Sequence, residues 1–395
     1  MTRLKFRYME FYLEAAFFCL VFSQSIAFIS TPIQKIFEYM GILFLIISLI
    51  HNELKSHFIT SDKIYFFVIL IGLNIGLITQ NMSLGIKLKA LIPSLVFTMI
   101  FTMSNGIVEN SRKLRRISYS IIFALVLALL FALIFHVSLF EANGLGGKFY
   151  IGFNGGILYK NYYSSTVLSA FIGLYLSLKY SNTKTKIDYF LCAFLIILLF
   201  LSSSNGTYLI LISFFGIEIL GKITYKIKEP LRKRFLIMLT LFCGFAFLIL
   251  FVTIALKNQN YLYRLNGLFN YINVYGKNPF YIIFGNGELA YAPGMTYVEN
   301  IISKIGYDGS LELSWLGILI KNGLFGVITY IYIFLNLIKN SLKKKKKNSK
   351  IIMLAIIVAL IVSSLVETYI QNLHVIFGIF MFILAFNAGI FPEQN

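Results

Sequence analysis

Apolar windows of roughly 17 to 25 residues recur from one end of the chain to the other, separated by short polar or basic connections. Each window is long enough to cross a hydrocarbon core of about 30 Å as a helix, the geometry that satisfies its own backbone polar groups in lipid. Twelve spans can be placed, at 8–30, 33–50, 64–79, 87–104, 117–140, 161–179, 187–203, 206–222, 235–256, 309–337, 351–369 and 371–389. The pattern predicts an all-α polytopic membrane protein forming a single integral membrane domain over residues 1–395. The first span follows "MTRLKFR" with no small-residue cleavage site, so it is expected to be a retained helix rather than a signal peptide.

Composition agrees with the pattern. Of 395 residues, 58% are hydrophobic and 13% charged, and the mean hydropathy is +0.80, outside the range of a soluble domain. Of the 35 Lys and Arg, 25 fall in alternate connections: Arg3 to Arg7, Lys55 and Lys63, Arg112 to Arg116, Lys179 to Lys186, Lys222 to Arg234, and Lys339 to Lys350. By the positive-inside rule those connections and both termini are cytosolic. The net charge of +19 is thus read as a topology signal. Nucleic-acid binding is not expected, because runs such as "KKKKKNSK" have no aromatic platform beside them. Cys19, Cys192 and Cys243 lie inside three spans at spacings that suit neither a metal site nor a disulfide. The four histidines, His51, His57, His136 and His374, form no metal constellation in sequence.

Two outer connections are longer than topology requires. Residues 141–160, "EANGLGGKFYIGFNGGILYK", are Gly-rich and carry Lys148 and Lys160. Residues 257–308 are rich in Tyr, Phe, Leu and Ile and poor in charge, unlike a disordered segment, and are expected to fold onto the bundle. Within them "RLNGLFNYI" has the spacing of an amphipathic helix, with Leu265, Leu268, Phe269 and Ile272 on one side. "GKNPFYIIFGNG" reads as a turn, a short buried extended piece and a Gly-rich turn.

"RLNGLFNYINVYGKNPFYIIFGNG", followed after a gap by an acidic residue and "LELSWLGILIKNGLFGVITYIYIF", resembles the O-antigen ligase and polysaccharide polymerase superfamily. Members share an Arg opening the large outer loop, a Pro and a Gly-x-Gly turn about fifteen residues later, and a Gly-bracketed element in the next helix. "LSSSNGTYLILI" resembles the family's turn between two spans, and "GGKFYIGFNGGILYKNYYSSTVLSAF" its Gly- and Asn-containing loop. The resemblance covers approximately residues 145–335, while the first third of the chain matches by topology alone. Asn205 stands where the family's turn has Arg, and the large loop lacks the His common in the ligase branch. The first departure means that any role of that cation is absent or met elsewhere; the second favours the polymerase branch, Wzy.

The resemblance implies a GT-C-like fold in which the loops 141–160 and 257–308, the second between spans nine and ten, form an active-site cap outside the membrane. It implies a lipid-linked oligosaccharide on undecaprenyl diphosphate as substrate and no cofactor. The implied partners are membrane lipids and, in the same assembly, flippase and chain-length regulator proteins. The setting would be the bacterial inner (cytoplasmic) membrane. Such a transfer needs cations on the departing diphosphate and an acceptor for the proton of the attacking hydroxyl. Arg264 is the first choice for the diphosphate, since a guanidinium fork matches phosphate oxygens; its alternative is an interfacial Arg beside "YLYRL". Lys148 and Lys160 are supporting cations. Lys87 and Lys89 read as helix-end cations that snorkel or attract the anionic carrier.

Asp308 and Glu312, four residues apart, would share a helical face. Either is a helix-start acid or a holder of the acceptor hydroxyl, and Glu312 lies a turn deeper, where a carboxylate costs more. Trp315 reads as an interface-belt aromatic or a sugar-stacking platform. Glu367, with Gln371 and His374, would line the acceptor path, and Asn205 the family's turn. Glu10 and Glu14 are expected to pair with the basic N-terminus, and Glu218 to sit toward the cytosolic end. "KNGLFG" reads as a packing element outside the chemistry. A ligase is the nearest alternative. The rival from another class is a lipid-linked oligosaccharide flippase or transporter, against which stand the folded outer loop and the lack of matching Gly/Pro-broken helices in the two halves.

Overall fold

The computed structural model describes residues 11–56, 60–145, 148–181, 184–227, 229, 259–291, 313–344 and 346–387. They are predominantly helical. In chain order the helices are α1 (Tyr12–Phe22), α2 (Pro32–Ser56), α3 (Thr60–Thr79), α4 (Leu84–Met103) and α5 (Ser111–Ile134). A hairpin of β1 (Phe140–Leu145) and β2 (Lys148–Phe153) follows, then α6 (Lys160–Tyr180), α7 (Lys186–Ser202) and α8 (Asn205–Lys226). The remainder are α9 (Gln259–Tyr275), α10 (Pro279–Phe284), α11 (Gly287–Tyr291), α12 (Ser314–Lys343), α13 (Lys347–Val366) and α14 (Ile376–Asn387).

Six described helices are long and apolar enough to cross a membrane: Pro32–Leu54, Leu84–Met103, Ser111–Ile134, Asn205–Thr224, Ser314–Lys343 and Lys347–Val366. Their outer faces show why the environment is lipid. On α5, Phe123, Val126, Leu130, Leu133 and Ile134 are all exposed at helical spacing, a stripe that would drive aggregation in water. This is an all-helical membrane architecture with one small hairpin added.

The chain divides into two compact units, the first formed by Met1–Leu70, Pro93–Leu211 and Tyr369–Asn395, the second by Ile71–Ile92 and Ile212–Thr368. The first is cemented by aromatic edges, with Phe17 and Phe380 centred 5.7 Å apart and Phe101 and Phe382 4.7 Å apart. One end of it is tied by charge. Asp188, fully buried, accepts from Arg115 at 3.0 Å, from the Thr185 backbone at 3.0 Å and from the Tyr119 hydroxyl. That satisfaction is what makes a buried carboxylate tolerable in an apolar bundle. Glu14 lies 3.8 Å from Arg116; the N-terminal bases expected to pair with it fall in residues 1–10, outside the described set. The starts of α1, α5 and α7 therefore meet at one end, and their flanking connections are among those that the charge count placed on a common side.

Thr185 and Asp188 form a reciprocal capping box at the start of α7. Thr185→Ala is expected to lower the unfolding free energy by about 1 kcal/mol, read as a small drop in the melting temperature of the detergent-solubilised protein. A melting curve identical to that of the parent would show that the box contributes nothing.

Several expected boundaries move. The span expected at 8–30 ends as a helix at Phe22, because Ser23 folds its hydroxyl back on the Leu20 carbonyl and the chain turns into a short 3-10 piece at Ile26–Phe28. The span expected at 371–389 begins only at Ile376, after an irregular 367–375 segment. The loop 141–160 contains the hairpin. "PFYIIF", expected to be extended, is helix α10: the Asn278 side chain caps the Phe280 N–H at 3.0 Å, and Pro279 at the first helical position has its φ already set. "RLNGLFNYI" is helical within α9, as its spacing predicts. The turn in "LSSSNGTYLILI" is present, with Ser203 left-handed at φ 51° between α7 and α8. The ninth span, 235–256, lies outside the described residues.

In the second unit α12 is not one straight helix. Gly323 adopts φ 65° and ψ −163° in its middle, a conformation available essentially to Gly alone. Residues of 257–308 fold onto the first half of α12: Tyr271 and Leu289 pack in one cluster with Leu313, Leu316, Leu319 and Ile320.

Candidate functional site

A second group of polar side chains of the first unit lies at the end opposite the Arg115 and Arg116 pairs. Here α6 and α8 begin and the 369–375 segment passes. The apolar stretches leave few polar side chains, and those present bond to one another. Ser204 donates to the Asn161 side-chain oxygen at 3.1 Å, Thr207 to Ser204 at 3.1 Å, and Ser164 lies 2.7 Å from Thr207. The Tyr369 hydroxyl donates to the Asn161 carbonyl at 3.0 Å, and the Asn372 amide to the Tyr162 hydroxyl at 3.3 Å. His374 sits 3.5 Å from the Gln24 amide and 3.7 Å from the Glu38 carboxylate. Glu141 reaches from β1 to accept the Lys160 N–H at 2.7 Å, placing an anion on the N-terminus of α6.

Three of the residues singled out in the sequence meet at this end: Lys160 at the first position of α6, Asn205 exposed beside Ser204, and His374, about half exposed. Lys148 begins β2, but its side chain lies outside the described set. Ser164, Ser204, Thr207 and Tyr369 are buried and bonded within this network, and beside it Tyr159, exposed, and Tyr162 are centred 5.1 Å apart.

The second unit holds the others. Ser314, at the start of α12, donates to the Glu367 carbonyl, and the Trp315 N–H donates to Ser364 at 3.1 Å. The indole's polar handle is thus engaged by α13, and its ring lies 6.3 Å from Phe334. Arg264 lies on α9 with its side chain outside the described set, and Asp308 and Glu312 fall outside it altogether. Tyr271 on the same helix donates to the Tyr281 carbonyl at 3.3 Å, and burial pushes its phenol above its usual range, so it acts as a donor and not as a base. Lys87 caps the last turn of α3 through the Ile78 carbonyl at 3.2 Å, the use expected of a helix-end cation. Glu218 pairs with Lys222 one turn away at 2.8 Å.

Sequence reasoning missed what surrounds the break in α12. The turn Gly285–Gly287 between α10 and α11 seats against it: the Asn286 N–H donates to the Ile320 carbonyl at 2.6 Å, and a Cβ on Gly285 would lie 2.8 Å from the Gly323 nitrogen. Gln80, just past α3, donates to the Phe284 carbonyl and, at 3.2 Å, to the Lys321 carbonyl, and accepts from the Gly287 N–H. Asn322 donates to the Leu73 carbonyl at 2.7 Å. A Cβ on Gly76 would collide with the Phe284 carbonyl. "KNGLFG" is therefore a packing element and also a helix break whose freed backbone is satisfied by side chains and a docked turn. The signals were in the sequence: Asn-Gly inside a helical run is a turn dipeptide, and Gly72-x-x-x-Gly76 marks close backbone approach.

Among the described residues no three His, Cys, Asp or Glu side chains cluster as metal ligands. No family model matches the chain, and no curated protein matches it.

Proposed function

We propose that this chain is a polysaccharide repeat-unit polymerase of the Wzy kind, a multi-pass enzyme of a bacterial cytoplasmic membrane with both termini cytosolic and its chemistry on the outer face. The acceptor is a lipid-linked oligosaccharide and the donor a growing glycan on undecaprenyl diphosphate. The acceptor's hydroxyl oxygen bonds to the anomeric carbon of the donor glycan, and the bond from that carbon to the diphosphate oxygen breaks. The electron pair leaves with the carrier diphosphate, and the hydroxyl proton passes to a carboxylate. Arg264 neutralises the leaving diphosphate and Glu312 takes the proton, with Asp308 the second candidate acid. The family resemblance, rather than any placement of the two units, is what assigns Lys148 and Lys160 as further cations and Asn205, Trp315, Glu367 and His374 as sugar-holding groups.

One observation carries this reading: the Gly-Asn-Gly turn after Arg264 seats on the Asn-Gly break of α12. These are two of the motifs that carry the family resemblance, and their contact gives a physical reason for both to occur in one chain in that order.

Deleting the gene in its host and separating the surface glycan by size tests the reading. A product stopped at one repeat unit is expected. Long polymer left unattached would mark a ligase, and lipid-linked units trapped inside would mark a flippase; either result overturns the proposal.

A further inference from the structure

The hairpin β1–β2 is built the wrong way round for a surface in water. Its register pairs Phe140 with Phe153, Ala142 with Ile151 and Gly144 with Phe149, so apolar residues meet at every second rung. The rung between them, Glu141 with Gly152, faces the protein: Glu141 holds the α6 N-terminus, and Gly152 approaches the Ser202 carbonyl so closely that a Cβ would lie 2.6 Å from it. At the base of the hairpin Phe153 packs between Phe140 and Tyr163. On that side Phe140 is 56% and Ile151 63% exposed.

A two-stranded hairpin holds together in water only by burying its apolar face, and this one turns its polar rung inward. The same polarity marks the helix ends beside it. Leu133, Ile134 and Phe135, where α5 ends shortly before β1, are exposed, as are Phe200 and Leu201, next to the Ser202 that Gly152 touches. These belong to the lipid-facing coats of α5 and α7, and the hairpin continues them past the helix ends.

We infer that the hairpin is an interfacial membrane-insertion element, its Phe140 and Ile151 side chains lying among the acyl chains of the adjacent bilayer leaflet. Outward apolar side chains become an asset there, because each removes apolar surface from water as the hairpin enters the headgroup–acyl boundary. Its consequence is positional. The hairpin carries Glu141 and, through it, the start of α6 with Lys160 and Asn161, so the polar end of the unit is held at the depth of the lipid headgroups.

The test places Trp at Ile151 in the full-length protein, in a Trp315→Phe background so that emission comes from one site, and reconstitutes it in bilayer nanodiscs. Emission should be blue-shifted and should lose most of its intensity when the phosphatidylcholine is brominated in its acyl chains, with little quenching by aqueous iodide. Phe140→Trp reads the same face if Ile151→Trp does not fold. Quenching by iodide but not by brominated lipid would show a water-facing hairpin. Shielding from both, with Ile151→Cys cross-linking two chains, would show a second copy covering the face. Either result overturns the inference.

Discussion

Gly323→Val is expected to destabilise the second unit strongly. A β-branched side chain cannot take φ 65° and ψ −163° without strain of about 1–3 kcal/mol. A Cβ there would also strike the Ile283 carbonyl and the Gly285 nitrogen, which are backbone atoms of a docked turn and cannot swing away. Overpacking of this kind adds about 1–3 kcal/mol, so a total on the order of 4 kcal/mol is expected. The check is the temperature at which the detergent-solubilised full chain loses its monodisperse chromatographic peak. Gly216→Ala is the control: it lies in α8 with nothing within 4 Å of the added methyl, so its melting point should hold or rise slightly. If Gly323→Val melts with the parent, the docked turn is not what holds the broken helix.

The second large effect is catalytic and rests on the polymerase reading. Arg264→Ala should leave the protein inserted in the membrane and stop glycan growth at single units on the carrier, with a rate loss of about 10²-fold or more, the size seen when one fixed donor to a developing anion is removed. Arg264→Lys should recover little, since an ammonium replaces the charge and not the planar fork. Glu312→Gln should stall growth in the same way, and Asp308→Asn should have a smaller effect. Chains of normal length from Arg264→Ala would remove Arg264 from the chemistry while leaving open which cation replaces it. Quantifying lipid-linked units in membranes together with the surface glycan separates that outcome from loss of the protein.

Much of the helical framework was legible in the chain. Sustained apolar windows dictate helices in lipid because no other backbone geometry satisfies itself there, and α2 to α8, α12 and α13 fall close to the expected spans. The amphipathic spacing from Leu265 to Ile272 marked α9, and the charge pattern grouped connections whose helices the Arg115–Asp188 and Arg116–Glu14 pairs tie together at one end. Local rules also limited the reading. "PFYIIF" looks like a buried strand by composition, and only the Asn278 cap and the packing of Ile282 against the α12 cluster make it a helix.

The candidate site was less legible, for a physical reason. The sequence supplied isolated charged residues, because a charge in an apolar run stands out; it did not supply the neutral groups around them. Asn161, Ser204, Thr207 and Tyr369 look like ordinary small or interfacial residues one at a time, and only the meeting of α6, α8 and the 369–375 segment makes them a network. The hairpin likewise reads as a Gly-rich loop until its register pairs Phe140 with Phe153.

By itself, then, the sequence determined a membrane bundle, its helical spans and the side-chain chemistry available to it, since hydropathy and charge act locally on each segment. The tertiary structure decided that α12 breaks at Gly323, that a glycine turn and Gln80 fill the break, and that Asn161, Ser204, Thr207 and Tyr369 meet in one network. Those outcomes depend on which backbone atoms approach each other across long sequence separations: Asn322-Gly323 and Gly72-x-x-x-Gly76 mark where a break or a close approach can occur, but not which segment meets it.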